Sequence, residues 1–369
     1  MIRIAITGGE GLLGQHLRLF LLPYEDSGDT EVILIGREDW DDPERLQQKV
    51  SGVDVIVHFA GMNRGGEDEI YATNIRLVDD LLHACDAARI APHLVFPSST
   101  HELRDSAYGR SKKDGAARVE SWAAAHAARA SVLVLPHVFG EFAKPFHNSG
   151  IATMCHQLAE GESSDINPAG VFELIHARDV AETIWKRVSA GTGGRERIEG
   201  VAITVPDAYA KLADFATAYR RGEFPSLRPG LETQLFTMLH SYMAWKLLPH
   251  VLSVRFDARG MLFEVVRGSG EHQVFFSLTN PGAVRGNHYH TRKMERFCVV
   301  EGDAEIRLRH VLTGELHTFV VSGSKPVAVD MPTYWAHSIT NMGSRPLLTA
   351  FWTSEQYDPD DADTFPAET

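Results

Sequence analysis

Ile2-Arg3-Ile4-Ala5-Ile6-Thr7-Gly8-Gly9-Glu10-Gly11-Leu12-Leu13-Gly14 opens the chain and runs straight into a helical stretch, Gln15 to Leu22. A short apolar strand, a glycine turn and a helix in that order place a pyrophosphate on a helix N-terminus. The spacing Gly8-x2-Gly11-x2-Gly14 differs from G-x-G-x-x-G by one residue, and glycines alone would serve a tight turn with no ligand. The pattern downstream gives the turn its weight. Apolar runs at 32–35, 53–59, 93–96 and 132–135 alternate with helical stretches such as 70–89 and 111–129, which predicts a doubly wound parallel α/β sheet.

A chain of 369 residues exceeds one ordinary core, so two domains are expected. Hydrophobic residues at 44% and charged residues at 23% supply a globular balance for both. Lysine and arginine number 36 against 49 aspartates and glutamates, a net charge of −13 that argues against nucleic acid and anionic membrane as partners. Cys85, Cys155 and Cys298 are widely spaced and form no C-x-x-C pair, which fits buried thiols in a reducing cytoplasm. The start carries no basic segment followed by an apolar run, and no apolar stretch reaches eighteen residues. A cytoplasmic, non-exported protein is therefore expected.

Candidate chemistry in the first part follows the strands. After Val32-Ile33-Leu34-Ile35-Gly36 comes Arg37, where an acid would meet the adenosine ribose of NAD; arginine there suits a 2′-phosphate, hence NADP(H). Glu38 and Asp39 come next and keep the NAD role open. Tyr108 and Lys112 are four apart, one helical turn, so they share a face. A neighbouring ammonium is expected to lower the phenol pKa, and Tyr108 could protonate a carbonyl oxygen as hydride arrives at carbon. Ser98-Ser99-Thr100 closes the strand begun at His93 and offers hydroxyls at the carboxyl edge of the sheet.

The last third changes character. Closely spaced β-rich runs at 274–278, 297–300, 304–308, 318–321, 326–329 and 347–352, separated by Gly, Pro and Asn, predict a sandwich or barrel. The linker is expected between Trp245 and Leu252, giving domains 1–248 and 249–369. Within Gly282-x5-His288-x-His290-x4-Glu295-x6-Gly302, the two histidines leave one face of a strand, and a turn at 291–294, read as a hairpin, brings Glu295 to them. His337 completes a set of three imidazoles and a carboxylate, which suits Zn²⁺ first and Fe²⁺, Mn²⁺ or Ni²⁺ after it. An isolated H-x-H reads as two exposed histidines; the flanking glycines and His337 favour a metal. The acidic run 358–363 reads as a solvated terminus, and Trp335, Trp352 and Tyr357 as packing or dimer-contact residues.

The glycine turn, with His58-Phe59-Ala60-Gly61, Asn74, Ser99, Tyr108-x3-Lys112 and Ile175-His176-Ala177-Arg178-Asp179-Val180, resembles the extended short-chain dehydrogenase/reductase superfamily, a Rossmann-type fold, over residues 1–245. The resemblance implies Tyr108 as acid/base, Lys112 as its modulator, Ser99 (or Ser98) as hydrogen-bond donor to the carbonyl, and Gly8, Gly11, Leu12, Gly14, Arg37, Ala60, Asn74 and Lys112 as coenzyme contacts. His137 departs from the asparagine many members carry. The His288-to-Gly302 stretch resembles the first cupin motif, Pro332-x4-His337-x3-Asn341 part of the second, and Asp257-Ala258-Arg259-Gly260 the start of cupin deoxysugar epimerases, which commonly use histidine as base and tyrosine as acid without a metal, so that resemblance leaves His290 or His288 open as a base instead of a ligand.

In order and length the whole chain is similar to bifunctional capsular-polysaccharide enzymes, with matches at Met62-Asn63-Arg64, Lys144-Pro145 and Arg285-Gly286-Asn287-His288-Tyr289-His290. Those enzymes epimerise C3 and reduce C4 of a UDP-4-keto-6-deoxy-N-acetylhexosamine on the route to UDP-N-acetyl-L-fucosamine. The resemblance implies a UDP-sugar substrate, NADPH, and a homodimer by analogy. Tyr289, Lys293, Tyr334 and His317 all remain open as the C3 base. Two rivals stand beside it: a 4,6-dehydratase or C4-epimerase with a structural cupin, and a cofactor-sensing or assembly protein. Thr100-His101-Glu102 lacks the aspartate of the dehydratases, and a sensor could dispense with Tyr108 and Lys112.

Overall fold

The computed structural model describes residues 1–252, 254–257, 260–263, 265–268, 272–355 and 357–369. The chain divides into two compact units, Met1–Ala143 with Val171–Thr204, and Lys144–Gly170 with Val205–Thr369. Strands β1 (Ile2–Thr7), β2 (Thr30–Ile35), β3 (Val55–His58), β4 (His93–Ser99) and β5 (Ala130–Leu135) alternate with helices α1 (Leu12–Asp26), α2 (Pro43–Val50), α3 (Glu67–Ala88) and α4 (Ala107–Ala125). Next in the chain are β6 (His137–Phe139), α5 (Gly150–Glu160), β7 (Val171–His176), α6 (Ala177–Ala190), β8 (Gly194–Arg197) and β9 (Val201–Thr204), of which α5 packs in the second unit.

Six strands of the first unit form a parallel sheet in the order β2-β1-β3-β4-β5-β8. Successive residues feed opposite faces. Ala5, Ile56, Leu94, Phe96 and Val132 pack with Leu46 of α2, Val78 and Leu81 of α3 and Val119 of α4, whereas Ile4, Ile6, Val57, Val95 and Leu133 pack with Leu17 and Leu21 of α1 and Ile184 of α6. Burial on both faces explains why these strands read as unbroken apolar runs. Strand order reverses between β1 and β3, which fixes the ligand crevice at their carboxyl ends.

The second unit begins with α5, then α7 (Val205–Arg220) and α8 (Leu231–Leu247). Short strands β10 (Glu223–Phe224), β11 (His250–Val251), β12 (Val254–Asp257), β13 (Gly260–Phe263) and β14 (Arg267–Gly268) lead to β15 (Gln273–Thr279), β16 (Val284–Tyr289), β17 (Glu295–Glu301), β18 (Asp303–His310), β19 (Leu316–Ser322), β20 (Val327–Met331), β21 (Trp335–Asn341), β22 (Leu347–Thr353) and β23 (Phe365–Pro366). Two antiparallel sheets, β11-β20-β17-β22-β15 and β19-β18-β21-β16-β23, enclose a core of Phe297, Val329, Met331 and Phe351 from one and Ile306, Leu308, Trp335 and Ile339 from the other. Doubly wound α/β followed by a cupin-type β-barrel is the fold class expected. Within Asp257-Ala258-Arg259-Gly260, Ala258 and Arg259 lie outside the described residues.

A buried ion pair joins α7 and α8 to this barrel. Arg296 grips Asp330 through Nε (2.6 Å) and Nη2 (2.9 Å), and Asp330 also accepts from the Tyr219 hydroxyl (2.6 Å) and faces His250 Nε2 (3.3 Å). His240 of α8 in turn meets the Tyr219 hydroxyl (3.0 Å). Burial alone would raise the Asp330 carboxyl; Arg296 overrides it and holds the group well below the carboxylate range. Removing one member of such a pair strands the other charge out of water. Asp330→Ala is therefore expected to destabilise the protein by about 3–5 kcal/mol in denaturant unfolding, far more than Ala replacement of an exposed ion-pair residue such as Glu182.

Candidate functional site

At the end of β1, Gly8 takes φ +66°, and a Cβ there would stand 2.8 Å from the Ala60 nitrogen. Backbone meets backbone with no room for a side chain. The Thr7 hydroxyl fixes the approach, accepting from Ala60 N–H (3.0 Å) and meeting His58 Nδ1 (2.9 Å). Gly14 packs against the Gly8 carbonyl, and Gly11 caps α1 without a side-chain hydrogen bond. The first-turn N–H groups, from Leu12 on, are thus left for an anion. Asn74 spends its amide on Met62 N–H, the Met62 carbonyl (2.9 Å) and the Ser111 hydroxyl (2.9 Å), so it shapes the loop after β3.

Beyond β2, Arg37 is exposed at the start of a 3₁₀ turn, while Asp39 turns inward. Its carboxylate accepts from Gly36 N–H (2.7 Å) and pairs with Arg45 Nε (2.5 Å). Glu38 also pairs with Arg45, at 3.3 Å. Of the three side chains considered for the ribose, two acids are engaged with Arg45.

Tyr108 and Lys112 occupy the first turns of α4. Lys112 Nζ donates to the Pro97 carbonyl (2.9 Å) and lies 5.9 Å from the Tyr108 ring centre. Burial lowers the Lys112 ammonium to about 8, and burial with the Lys112 charge takes His58 to about 3. The Tyr108 phenol is pushed up by burial, opposite to the expected depression. The ammonium is directed at Pro97, and desolvation of the ring wins. The serine pair divides its labour: Ser98 Oγ donates to Glu102 (2.6 Å), itself held by Arg195 (2.7 Å), whereas Ser99 Oγ accepts from His101 N–H (3.2 Å) and keeps its own proton to give.

In the second unit His288, His290, Glu295 and His337 bring one ligand atom each within 4.8 Å of all the others. The turn at 291–294 is not a hairpin: β16 pairs with β21 and β23, and β17 with β20 and β22, so the turn crosses between sheets. Glu295 reaches the histidines from the opposite sheet. A bulge at Gly286–His288 sets His288 opposite His337; a Cβ on Gly286, at φ +99°, would stand 2.5 Å from the His337 carbonyl oxygen. His290 Nδ1 donates to the Asp363 carbonyl (2.5 Å) and His337 Nδ1 to the Trp335 carbonyl (3.2 Å), which turns both Nε2 lone pairs inward. There they face Glu295 Oε2 at 3.4 and 3.1 Å, and His337 Nε2 lies 3.1 Å from His288 Nε2. Lone pairs so close to one another and to a carboxylate need a cation or protons between them, so the donor set fits a divalent metal.

Burial would raise Glu295, yet His290 and His337 hold it far below its ordinary range; burial and the other two imidazoles lower His288 to about 4; Glu295 overrides burial and raises His290. Among the four residues considered as base, His317 stacks on Trp245 (4.3 Å) and pairs with Glu315 (3.1 Å), Lys293 Nζ donates to the Ala362 carbonyl (2.7 Å), Tyr289 stacks on Phe365 (5.3 Å), and Tyr334 is buried at φ +66°.

A second cluster, His16, Glu141 and His176, went unread in the sequence. Its one local signal is a glutamate within Val138-Phe139-Gly140-Glu141-Phe142. His176 Nδ1 accepts from Arg178 N–H (3.2 Å), so its Nε2 carries the proton and lies 3.1 Å from the Glu141 carboxylate, and His16 Nε2 donates to the Glu141 main-chain carbonyl (3.0 Å). Burial and His176 take His16 to about 3; against burial, His176 brings Glu141 to about 2. The protons on His16 Nε2 and His176 Nε2 face Glu141, which links α1 to β7 through charge and one hydrogen bond.

Residues 4–198 match the NAD dependent epimerase/dehydratase family, and residues 255–365 match the polysaccharide biosynthesis C-terminal domain. A UDP-2-acetamido-2,6-beta-L-arabino-hexul-4-ose reductase of Pseudomonas aeruginosa is 27% identical over 99% of this chain and 98% of its own. The Bacillus subtilis spore coat polysaccharide biosynthesis protein SpsL is 27% identical over 29% of this chain and 78% of its own. The crystal structure of the capsular polysaccharide assembling protein CapF from Staphylococcus aureus superposes with a TM-score of 0.61 at 27% identity, covering 100% of both chains.

Two outcomes are expected. Equilibration with zinc should load about one ion per chain, measured by elemental analysis; His337→Ala should abolish loading and His176→Ala leave it intact. Since the folded Lys112 pKa is depressed to about 8, the native state binds fewer protons than the unfolded one above that pH, and this group's cost to stability is relieved as pH rises. If the Lys112 ammonium contacts the coenzyme, as the sequence resemblance implies, coenzyme binding should show the opposite trend, weakening as pH rises through about 8 in wild type and not in Lys112→Gln.

Proposed function

The chain belongs to the NAD dependent epimerase/dehydratase family through residues 4–198, and from that premise we propose a bifunctional nucleotide-sugar enzyme of surface-polysaccharide synthesis. Its cupin half inverts C3 of a UDP-4-keto-6-deoxy-N-acetylhexosamine, and its first half then reduces the C4 ketone with NADPH to a UDP-N-acetyl-6-deoxy-talosamine-type product. One observation carries the reading: a chain alike end to end to a hexul-4-ose reductase holds both a glycine cradle with Tyr108 and Lys112 and a centre of three imidazoles and a carboxylate. Reduction is assigned to residues 1–248 and epimerisation to 249–369, in a cytoplasmic homodimer. The three buried free cysteines suit that compartment.

A 4-ketone acidifies C3–H, so a proton can leave one face of C3 and return to the other. His288, His290, Glu295 and His337 would hold a divalent ion, zinc by donor chemistry, which when bound supplies Lewis-acid stabilisation of charge on the ketone oxygen. In the first half the glycine turn and the α1 N-terminus hold the coenzyme pyrophosphate, and the reduced nicotinamide supplies hydride. Ser99 hydrogen-bonds the C4 oxygen, Tyr108 delivers its proton to that oxygen, and Lys112 holds the nicotinamide ribose and restores the phenol's proton supply. Reduction removes the ketone and with it the acidity of C3–H, so inversion comes first.

Exposed Arg37, beside acids already engaged with Arg45, supports NADPH over NADH. Glu102, fixed by Ser98 and Arg195, disfavours the 4,6-dehydratase, whose acid would have to be free for proton transfer. Incubating the ketone and NADPH with the full chain in D₂O should place deuterium at C3 and oxidise NADPH one for one. Tyr108→Phe should stop the oxidation and retain the exchange; product formed without deuterium at C3 would overturn the epimerase half. Arg37→Ala should raise KM for NADPH about 10- to 100-fold, from loss of a charged hydrogen bond, with little change for NADH.

A further inference from the structure

The acidic end of the chain is not a solvated terminus. Asp358, Asp360 and Asp361 are exposed, but Asp363 is buried with φ +44°, and it meets the turn that joins β16 to β17 with every acceptor it owns. One carboxylate oxygen accepts from Thr291 N–H (3.0 Å) and the Thr291 hydroxyl (2.6 Å); the other accepts from Arg292 N–H (3.0 Å) and Lys293 N–H (2.8 Å). The Asp363 carbonyl takes the proton of His290 Nδ1. On either side, Ala362 and Asp361 bind Lys293 and Arg292, and β23 adds itself to β16 with Pro366 opposite His288 and Phe365 opposite Tyr289. The last residues are anchored as well: Ala367 N–H donates to Asn287 (3.0 Å), Arg309 to the Glu368 carbonyl (2.6 Å), and Thr369 meets the Ser338 hydroxyl (2.6 Å).

We propose that Asp363 is a positioning residue of the metal centre, and that segment 357–369 is a strap without which His290 and the 291–293 turn do not hold the ligand geometry. The inference rests on the metal-centre reading above. A histidine can present Nε2 to an ion in a fixed direction only if something holds the opposite nitrogen, and partners of that kind govern affinity nearly as strongly as the ligands. Here the partner is a backbone carbonyl, so no side-chain substitution deletes it. Its position depends on the carboxylate that pins Asp363 to the turn. Linkage makes the relation reciprocal: if the strap favours metal binding, metal binding must secure the strap.

The full chain, metal-stripped and titrated with zinc against a competing chelator, tests this. Asp363→Ala should weaken zinc binding by about 10- to 100-fold, alter the visible spectrum of the cobalt-substituted protein, and leave NADPH binding unchanged. Thr291→Val, which removes one hydroxyl from the same carboxylate, should give a smaller loss and covers the case in which Asp363→Ala does not fold. Hydrogen exchange of unmutated protein should slow across 363–367 on adding zinc. Zinc binding as tight in both variants as in wild type, or exchange in that segment indifferent to zinc, overturns the strap while leaving the centre standing. A wild-type chain that binds no zinc overturns the centre and this inference with it.

Discussion

A carboxylate taken out of water must be met by donors, and that constraint organises both units. The Glu141 carboxylate is met by His176 at the end of β7, and the Glu141 main-chain carbonyl by His16 of the helix after the glycine turn. Asp330 is met by Arg296 and Tyr219 and fastens two helices to the barrel. Asp363 is met by three backbone N–H groups and a hydroxyl. Glu295 faces the Nε2 atoms of two imidazoles whose Nδ1 protons are taken up on the far side. With His288 beside them, these atoms form a donor set of a kind that fits a divalent cation.

Composition alone does not separate a candidate metal set from side chains that satisfy one another. Two histidines and a glutamate meet in the first unit and three histidines and a glutamate in the second, both sets largely buried and both shifted by burial and mutual charge. The difference is one proton's location on each ring. Carbonyls behind His290 and His337 take the Nδ1 proton and free Nε2, whereas an amide behind His176 takes the Nδ1 lone pair and commits Nε2 as a donor.

Much of this was legible in the sequence because its signals are local. A glycine turn after the first strand, apolar runs bounded by turns, and histidines two apart all act within a few residues, and the parallel sheet, the barrel strands and the shared face of His288 and His290 arise from them. What stayed hidden depends on partners far away in the chain. Asp363 lies 73 residues from His290 and acts through its backbone oxygen, which every residue has. The inward turn of Asp39 depends on Arg45, and the crossing between sheets at 291–294 on which strands β16 and β17 find as neighbours. The depression expected for Tyr108 failed because spacing says that a charge is near, not where it points.

The two units alternate along the chain in four segments, 1–143, 144–170, 171–204 and 205–369. During synthesis α5 emerges well before α7 and α8, the helices it packs on, and must wait through the completion of the first unit to find them. No single break in the chain separates the two compact units. A lineage that carries them as one polypeptide is held to that arrangement by the weave of its backbone.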